Sequence, residues 1–352
     1  MADNDATREE QNTLSRRKRW ERLGGRIGLR LIVTPLRIMP WGMAQGFGRF
    51  LGSLLYLALG GYRRVAVKNL ALVYGSETSE AERIVMAKSV FRHFGQVATE
   101  FVKLPQLSRA EVDRLVTVEG EEHLKAAFEA GQGVLTITGH FGNWEMLGRW
   151  LGTHDIPLNV VARRANDPEA EKLLRDSREG YGAQVFLRGG SARAILNCLK
   201  CNELLILLPD QNSAEIFVPF FGIPTGTADG PAIIHLKTGA KIVFSWCIRT
   251  PDNRFRLIFE PVYSYAPTGN KKDDSEAIMT EVNARIEAQI RKHPTQWLWL
   301  HDRWKASPGI FTGGDEAARQ MQMKPNAYRR EMLAQNSAPN PSVPSISSDA
   351  NE

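Results

Sequence analysis

From Leu31 to Tyr62 the chain is mostly apolar, with Arg37 and Arg49 as interruptions and Pro40 as a helix breaker. Its longest uncharged stretch, Phe50 to Tyr62, is shorter than the roughly 20 residues that a bilayer-spanning helix needs. Between Ser79 and Leu104 the pattern changes. Ile84, Ala87, Val90, Phe91, Phe94, Val97 and Phe101 recur at spacings of three and four, which predicts an amphipathic helix. Strands and helices then alternate. Gly133 to Gly139 is almost continuously apolar, as in a strand buried on both faces. A helix near Asn143 to Leu151, a strand from Leu158 to Arg163 and a charged helix from Pro168 to Glu179 follow. Next come a strand at Ala183 to Leu187, a helix from Ser191 to Cys201 and a strand from Glu203 to Asp210. Two β-rich segments, Lys241 to Arg249 and Arg254 to Val262, precede a helix from about Ser275 to Lys292.

This alternation predicts an α/β fold, a central and mostly parallel sheet flanked by helices. The last two strands are joined by the short turn Thr250-Pro251-Asp252-Asn253, which predicts an antiparallel hairpin at the sheet edge. Four regions follow: a polar and basic N-terminus over 1–30, an apolar membrane-associating segment over 31–62, an α/β domain over 63–308 and a low-complexity tail over 309–352. The tail, rich in Ser, Pro, Asn and Gln, is too polar to bury a core.

Charge sharpens the picture at the N-terminus. Lys and Arg total 45 against 39 Asp and Glu, a net +6, and the bias favours an anionic partner. Arg16, Arg17, Lys18, Arg19, Arg22, Arg26 and Arg30 directly precede the apolar segment. A basic cluster beside apolar surface favours an anionic membrane leaflet, since each such residue adds about 1 kcal/mol there. A buried core helix and a single span with a tolerated arginine are the competing readings of 31–62. Three cysteines cannot form a disulfide framework, and Cys198-x-x-Cys201 without a second pair falls short of the roughly four ligands of a zinc site.

The sharpest chemical feature is Gly139-His140-Phe141-Gly142-Asn143-Trp144-Glu145. A histidine just past the carboxyl end of a buried strand stands where α/β sheets place their ligands. Glu145, five residues on, meets His140 only if the histidine folds back from the turn over the first helical turn. In such a pair Glu145 orients the imidazole and His140 takes a proton from a hydroxyl. The plainer alternative is a loop histidine and a helix N-terminal charge favoured by the dipole.

Together with several further segments, this motif resembles the lipid A biosynthesis acyltransferase family of the late lauroyl/myristoyl type, a branch of the H-x4-D/E glycerolipid acyltransferases. The segments, in order, are Arg63-Arg64 with Lys68-Asn69-Leu70, Ala162-Arg163-Arg164-Ala165-Asn166-Asp167-Pro168, Leu208-Pro209-Asp210-Gln211, Pro219-Phe220-Phe221-Gly222 with Thr227, Gly230 and Pro231, and Pro294 to Lys305. The second has Asn-Asp-Pro where the family more usually has Asp-Asn-Pro.

The resemblance implies transfer of a fatty acyl chain from acyl carrier protein to a hydroxyl of a lipid A precursor, on the cytoplasmic face of the inner membrane. Another membrane glycolipid, such as a phosphatidylinositol mannoside, is the alternative acceptor. His140 is then the base and Glu145 its partner, with Arg163, Arg164, Asp210 and Arg303 expected at the substrate. Arg163 is the candidate contact for an oxyanion or phosphate. No metal, cofactor or nucleic acid is expected, and acyl-acyl carrier protein is the co-substrate. Trp297, Trp299 and Trp304 are expected either to pack the core or to form a belt at the lipid headgroups. Arg175, Arg178, Arg188 and Arg193 join Arg163 and Arg164 as a basic set for the acidic carrier.

Overall fold

A computed structural model describes residues 33–162, 167–187 and 192–310. The basic N-terminal run, Arg163, Arg164, Arg188 and the polar tail from 311 onward lie outside the described residues. After a helical turn at 33–38, α1 (Trp41–Ala58) starts immediately beyond Pro40. It leads into α2 (Gly60–Tyr74) and the long α3 (Glu80–Lys103). Ser79 and Glu82 close α3 with a reciprocal capping box, the reason it starts where the polar-to-apolar pattern begins.

The α/β region then runs α4 (Arg109–Leu115), β1 (Val116–Glu119), α5 (Glu121–Glu129), β2 (Val134–Ile137), α6 (Trp144–Thr153), β3 (Leu158–Ala162), α7 (Pro168–Glu179), β4 (Ala183–Leu187), α8 (Ala192–Lys200) and β5 (Leu204–Leu207). It continues with β6 (Ile216–Phe220), β7 (Ile223–Thr227), α9 (Gly230–Thr238), β8 (Lys241–Arg249), β9 (Phe255–Phe259) and α10 (Lys271–Lys292). Seven strands form one sheet in the order β1-β9-β8-β2-β5-β3-β4, parallel except where β8 meets β9.

The α/β expectation holds, with two differences. The β8–β9 hairpin is not at the edge, because β1 pairs parallel to β9 outside it. The Val-Thr-Val-Glu alternation of β1 is only four residues long, too short a signal to mark a strand without the neighbour that pairs with it. The small antiparallel pair β6–β7 stands apart from the main sheet.

The segment over 31–62 does not stay separate from the α/β region. Two of the four glycines of α1, Gly48 and Gly52, lie against the backbone of α3 around Phe91, Gly95 and Gln96 with no room for a Cβ on either. Its opposite face is bare. Met43, Phe47, Phe50, Leu54 and Leu57, spaced three or four apart, are all exposed. No described helix is long and apolar enough to cross a membrane. Trp297, Trp299 and Trp304 are fully buried, so they pack the core and form no headgroup belt. Asn69 of α2 binds that segment by donating to the Trp299 and His301 carbonyls at 2.9 and 2.8 Å.

Candidate active site

Strands β2 and β5 are parallel neighbours with Ile137 opposite Leu207. Three residues beyond each of these stand His140 and Asp210, so the register itself brings the two together. Asp210 Oδ1 lies 2.7 Å from His140 Nδ1, and its Oδ2 accepts the His140 backbone N–H at 2.7 Å. Trp297 Nε1 donates to the same Oδ2 at 2.9 Å. The approach requires Gly139, where a Cβ would stand 3.0 Å from Asp210 Oδ2. Gly142 has a φ of +58°, and a Cβ there would strike the Cys247 carbonyl.

Asp210 is buried, which alone would raise its pKa. The His140 charge and the hydrogen bonds from His140 and Trp297 outweigh burial and hold the carboxyl below its ordinary range. An ionised Asp210 fixes the proton of His140 on Nδ1. Nε2 is then left as an acceptor, with Gln211 Nε2 3.4 Å away. His140 also packs edge-on against Trp144, at 5.1 Å between ring centroids.

Glu145 is not the partner expected for His140. Its carboxylate takes Arg178 through Nε at 3.2 Å and Nη2 at 2.5 Å, Tyr181 through its hydroxyl at 3.1 Å and Trp144 Nε1 at 2.9 Å. Glu145 stands five positions after His140, across a turn and the start of α6. The helix carries Glu145 toward α7 and its C-terminal loop, where Arg178 and Tyr181 reside. Burial opposes the charge of Arg178, but Glu145 and Tyr181 more than compensate and keep the guanidinium firmly protonated. Arg178 thus belongs to the site and not to an exposed docking set. Its fourfold-bonded carboxylate partner was not legible in sequence, because the α7–α6 packing that joins them spans 33 residues.

His140, Glu145, Arg178, Tyr181 and Gln211 face a cavity of about 490 Å³. Most of its remaining wall is apolar, including Val160, Leu174, Ile195, Leu208, Pro231 and Ile234, and Asn212, Ser213 and Glu215 line it as well. Ala162, the last residue of β3, lines it too, and Arg163 is the next residue in the chain.

Asp210, expected to bind substrate, instead orients His140. Arg303 also departs from its expected role. It is fully buried, and its guanidinium is used internally on the Gly226 and Gln211 carbonyls and Thr227 Oγ1, so it ties β7 to the C-terminal segment. Burial lowers its pKa to about 10, the cost of placing a guanidinium in the core.

A second buried network supports the His140 turn from below. Glu100 of α3, fully buried, accepts both Nη atoms of Arg249 at 2.6 Å and Asn143 Nδ2 at 2.7 Å. Asn143 Oδ1 in turn caps α6 at the Met146 N–H, 3.0 Å away. His93 Nε2 meets the Gly142 carbonyl at 2.9 Å. In sequence, Glu100 and Arg249 are 149 residues apart and carry no shared motif.

A sequence model of the family described as bacterial lipid A biosynthesis acyltransferase matches residues 20–306. The chain belongs to that family. Among similar proteins, a phosphatidylinositol mannoside acyltransferase of Mycolicibacterium smegmatis is 27% identical over 290 residues, 81% of this chain and 91% of the relative. The lipid A biosynthesis palmitoleoyltransferase of Escherichia coli is 27% identical over 275 residues, covering 77% of this chain and 87% of that protein. The lauroyltransferase of the same organism is 26% identical over 287 residues, or 80% and 90% of the two chains. The protein is accordingly an acyltransferase, and the cavity at His140 is its candidate catalytic centre.

Proposed function

We propose that this acyltransferase moves a fatty acyl group from acyl carrier protein to a hydroxyl of a lipid A precursor, with His140 as general base. The observation that carries this reading is the Asp210–His140 pair at 2.7 Å, with the imidazole facing a cavity whose wall is mostly apolar. His140 Nε2 removes the hydroxyl proton as the oxygen attacks the thioester carbonyl carbon. Asp210 stabilises the imidazolium that forms. The tetrahedral intermediate collapses with loss of the carrier thiolate, which takes the proton back from Nε2. Atoms balance without a covalent enzyme intermediate. Arg178, aimed by Glu145, offers N–H donors on the cavity wall for the developing oxyanion. Arg163 and Arg164 are assigned to anionic groups of the substrate beside it. The apolar walls suit the acyl chain.

The acceptor reading leans on the family and on the Escherichia coli relatives. A phosphatidylinositol mannoside is the second reading, favoured by the Mycolicibacterium smegmatis relative at equal identity. The exposed stripe of α1 supports work at a membrane surface, and the cytoplasmic face of the inner membrane is the proposed one. With purified protein, acyl-acyl carrier protein and lipid acceptor, His140→Ala should lose about 10²–10⁴-fold in rate. An unchanged rate rejects the base. Mass spectrometry of lipids from cells with and without the protein identifies the acceptor, as a species heavier by one acyl group.

A further inference from the structure

On the other side of the His140 turn lies a second cavity of about 630 Å³, unrelated to the apolar one. Arg92, Arg249, Arg256, His93 and His293 line it, and no acidic side chain does among the described residues. Arg249 is neutralised by the buried Glu100. Arg92 is exposed and has no ion-pair partner among the described residues, while Arg256 has only Glu119 at 3.8 Å, both side chains nearly half exposed. His293 reports the resulting field. Burial lowers its pKa first, and the charges of Arg256 and Lys292 lower it further.

Two further observations say what such a pocket faces. First, it adjoins α1. Asn253, in its wall, accepts Arg49 Nη1 at 3.3 Å, and the Asn253 carbonyl accepts Gln45 Nε2 at 3.0 Å. Arg49 sits on the flank of α1, between the glycine face packed on α3 and the bare stripe of Met43, Phe47, Phe50, Leu54 and Leu57. Cationic pocket and apolar stripe are therefore neighbours, in the arrangement that matches a lipid's charged head and apolar tail. Second, it backs onto the site. His93 and Gln296 line it, and they hold the Gly142 carbonyl and N–H at 2.9 and 2.8 Å.

We propose that this pocket binds the phosphate ester of a membrane-lipid headgroup, through Arg92 and Arg256, while the α1 stripe enters the apolar layer beside it. Guanidinium donors suit phosphate oxygens bidentately. The bound headgroup places the His140 turn close to the bilayer surface, where a lipid acceptor's hydroxyl must arrive. An acidic protein would use the same cations but has no use for the adjoining apolar stripe.

The test is co-sedimentation of the full chain with phosphatidylcholine vesicles carrying phosphatidic acid, or carrying oleate to the same surface charge. Arg92→Ala with Arg256→Ala should weaken binding to both vesicle types by about 30-fold through lost attraction to the anionic surface, and binding to the phosphatidic acid vesicles by at least about tenfold more, through the lost charge-assisted hydrogen bonds to phosphate. His140→Ala should bind as the unaltered protein does, which separates this site from the acyl-transfer reading. Glycerol 3-phosphate that displaces the protein shows that the phosphate alone is recognised. Failure to displace, with the variant effect intact, shows that the phosphate must be presented at a bilayer. Equal losses on both vesicle types, or no loss on either, would overturn the proposal. So would a raised KM for acyl carrier protein with vesicle binding unchanged, which would assign the pocket to the carrier.

Discussion

Single side chains divide the site into two units, each with its own carboxylate. Asp210 serves His140, and Glu145 serves Arg178 and Tyr181. Asp210→Asn removes the charge that stabilises the imidazolium and should cost about 10²–10⁴-fold in kcat. Glu145→Gln acts elsewhere, by releasing a buried guanidinium. Its loss of rate should match that of Arg178→Met, and the double variant should be no worse than either alone. Losses that multiply in steady-state assays of the three proteins would mean that the two residues act separately.

At the helices, close packing and burial set the outcome. Gly48 of α1 has no room for a side chain against α3, whereas nothing lies within 4 Å of a Cβ at Gly46. Gly48→Leu should destabilise by about 1–3 kcal/mol through forced separation of α1 and α3. Gly46→Ala should be neutral or stabilising by up to about 1 kcal/mol. Thermal melts of both variants decide this, and equal shifts would contradict the packing.

His93 of α3 gives a pH dependence. Burial, aided by the Arg249 charge, pushes its pKa down to about 3 from an ordinary 6.5. The unfolded chain therefore binds a proton that the folded one refuses, and stability falls as pH drops from about 6.5 toward 3. His93→Gln can still donate to Gly142 and should flatten part of that slope in melts taken between pH 7 and 4. An unaltered slope would show that His93 does not contribute to it.

At the scale of the whole molecule, the proposed membrane contact and the proposed carrier docking each have a test. Phe50 and Leu54 are 59% and 46% exposed, so replacing them leaves the core intact. Phe50→Glu with Leu54→Glu should release the protein from vesicles without lowering its melting temperature. Retained binding would move the membrane contact to another surface. If acyl carrier protein docks by charge, kcat/KM with the carrier should fall as salt rises while kcat holds. With acyl-coenzyme A the fall should be shallower, and a flat response with the carrier would reject charge-guided docking.

The strands and helices of the α/β region were legible because their signals are local: apolar runs bounded by Gly, Pro and polar turns. His140 was legible for the same reason, as a histidine between glycines at a strand end. Which carboxylate it meets was not. Sequence spacing made Glu145 the neighbour, but the parallel register of β2 and β5 delivers Asp210 from 70 residues away. Arg303 stood in a matching motif, and only packing revealed that its guanidinium is consumed inside the fold. β1 was invisible until β9 provided hydrogen bonds for it. The chain by itself therefore determined the order of elements and the position of the candidate histidine. Tertiary structure decided every pairing, since a charge or a strand edge finds its partner across space and not along the sequence.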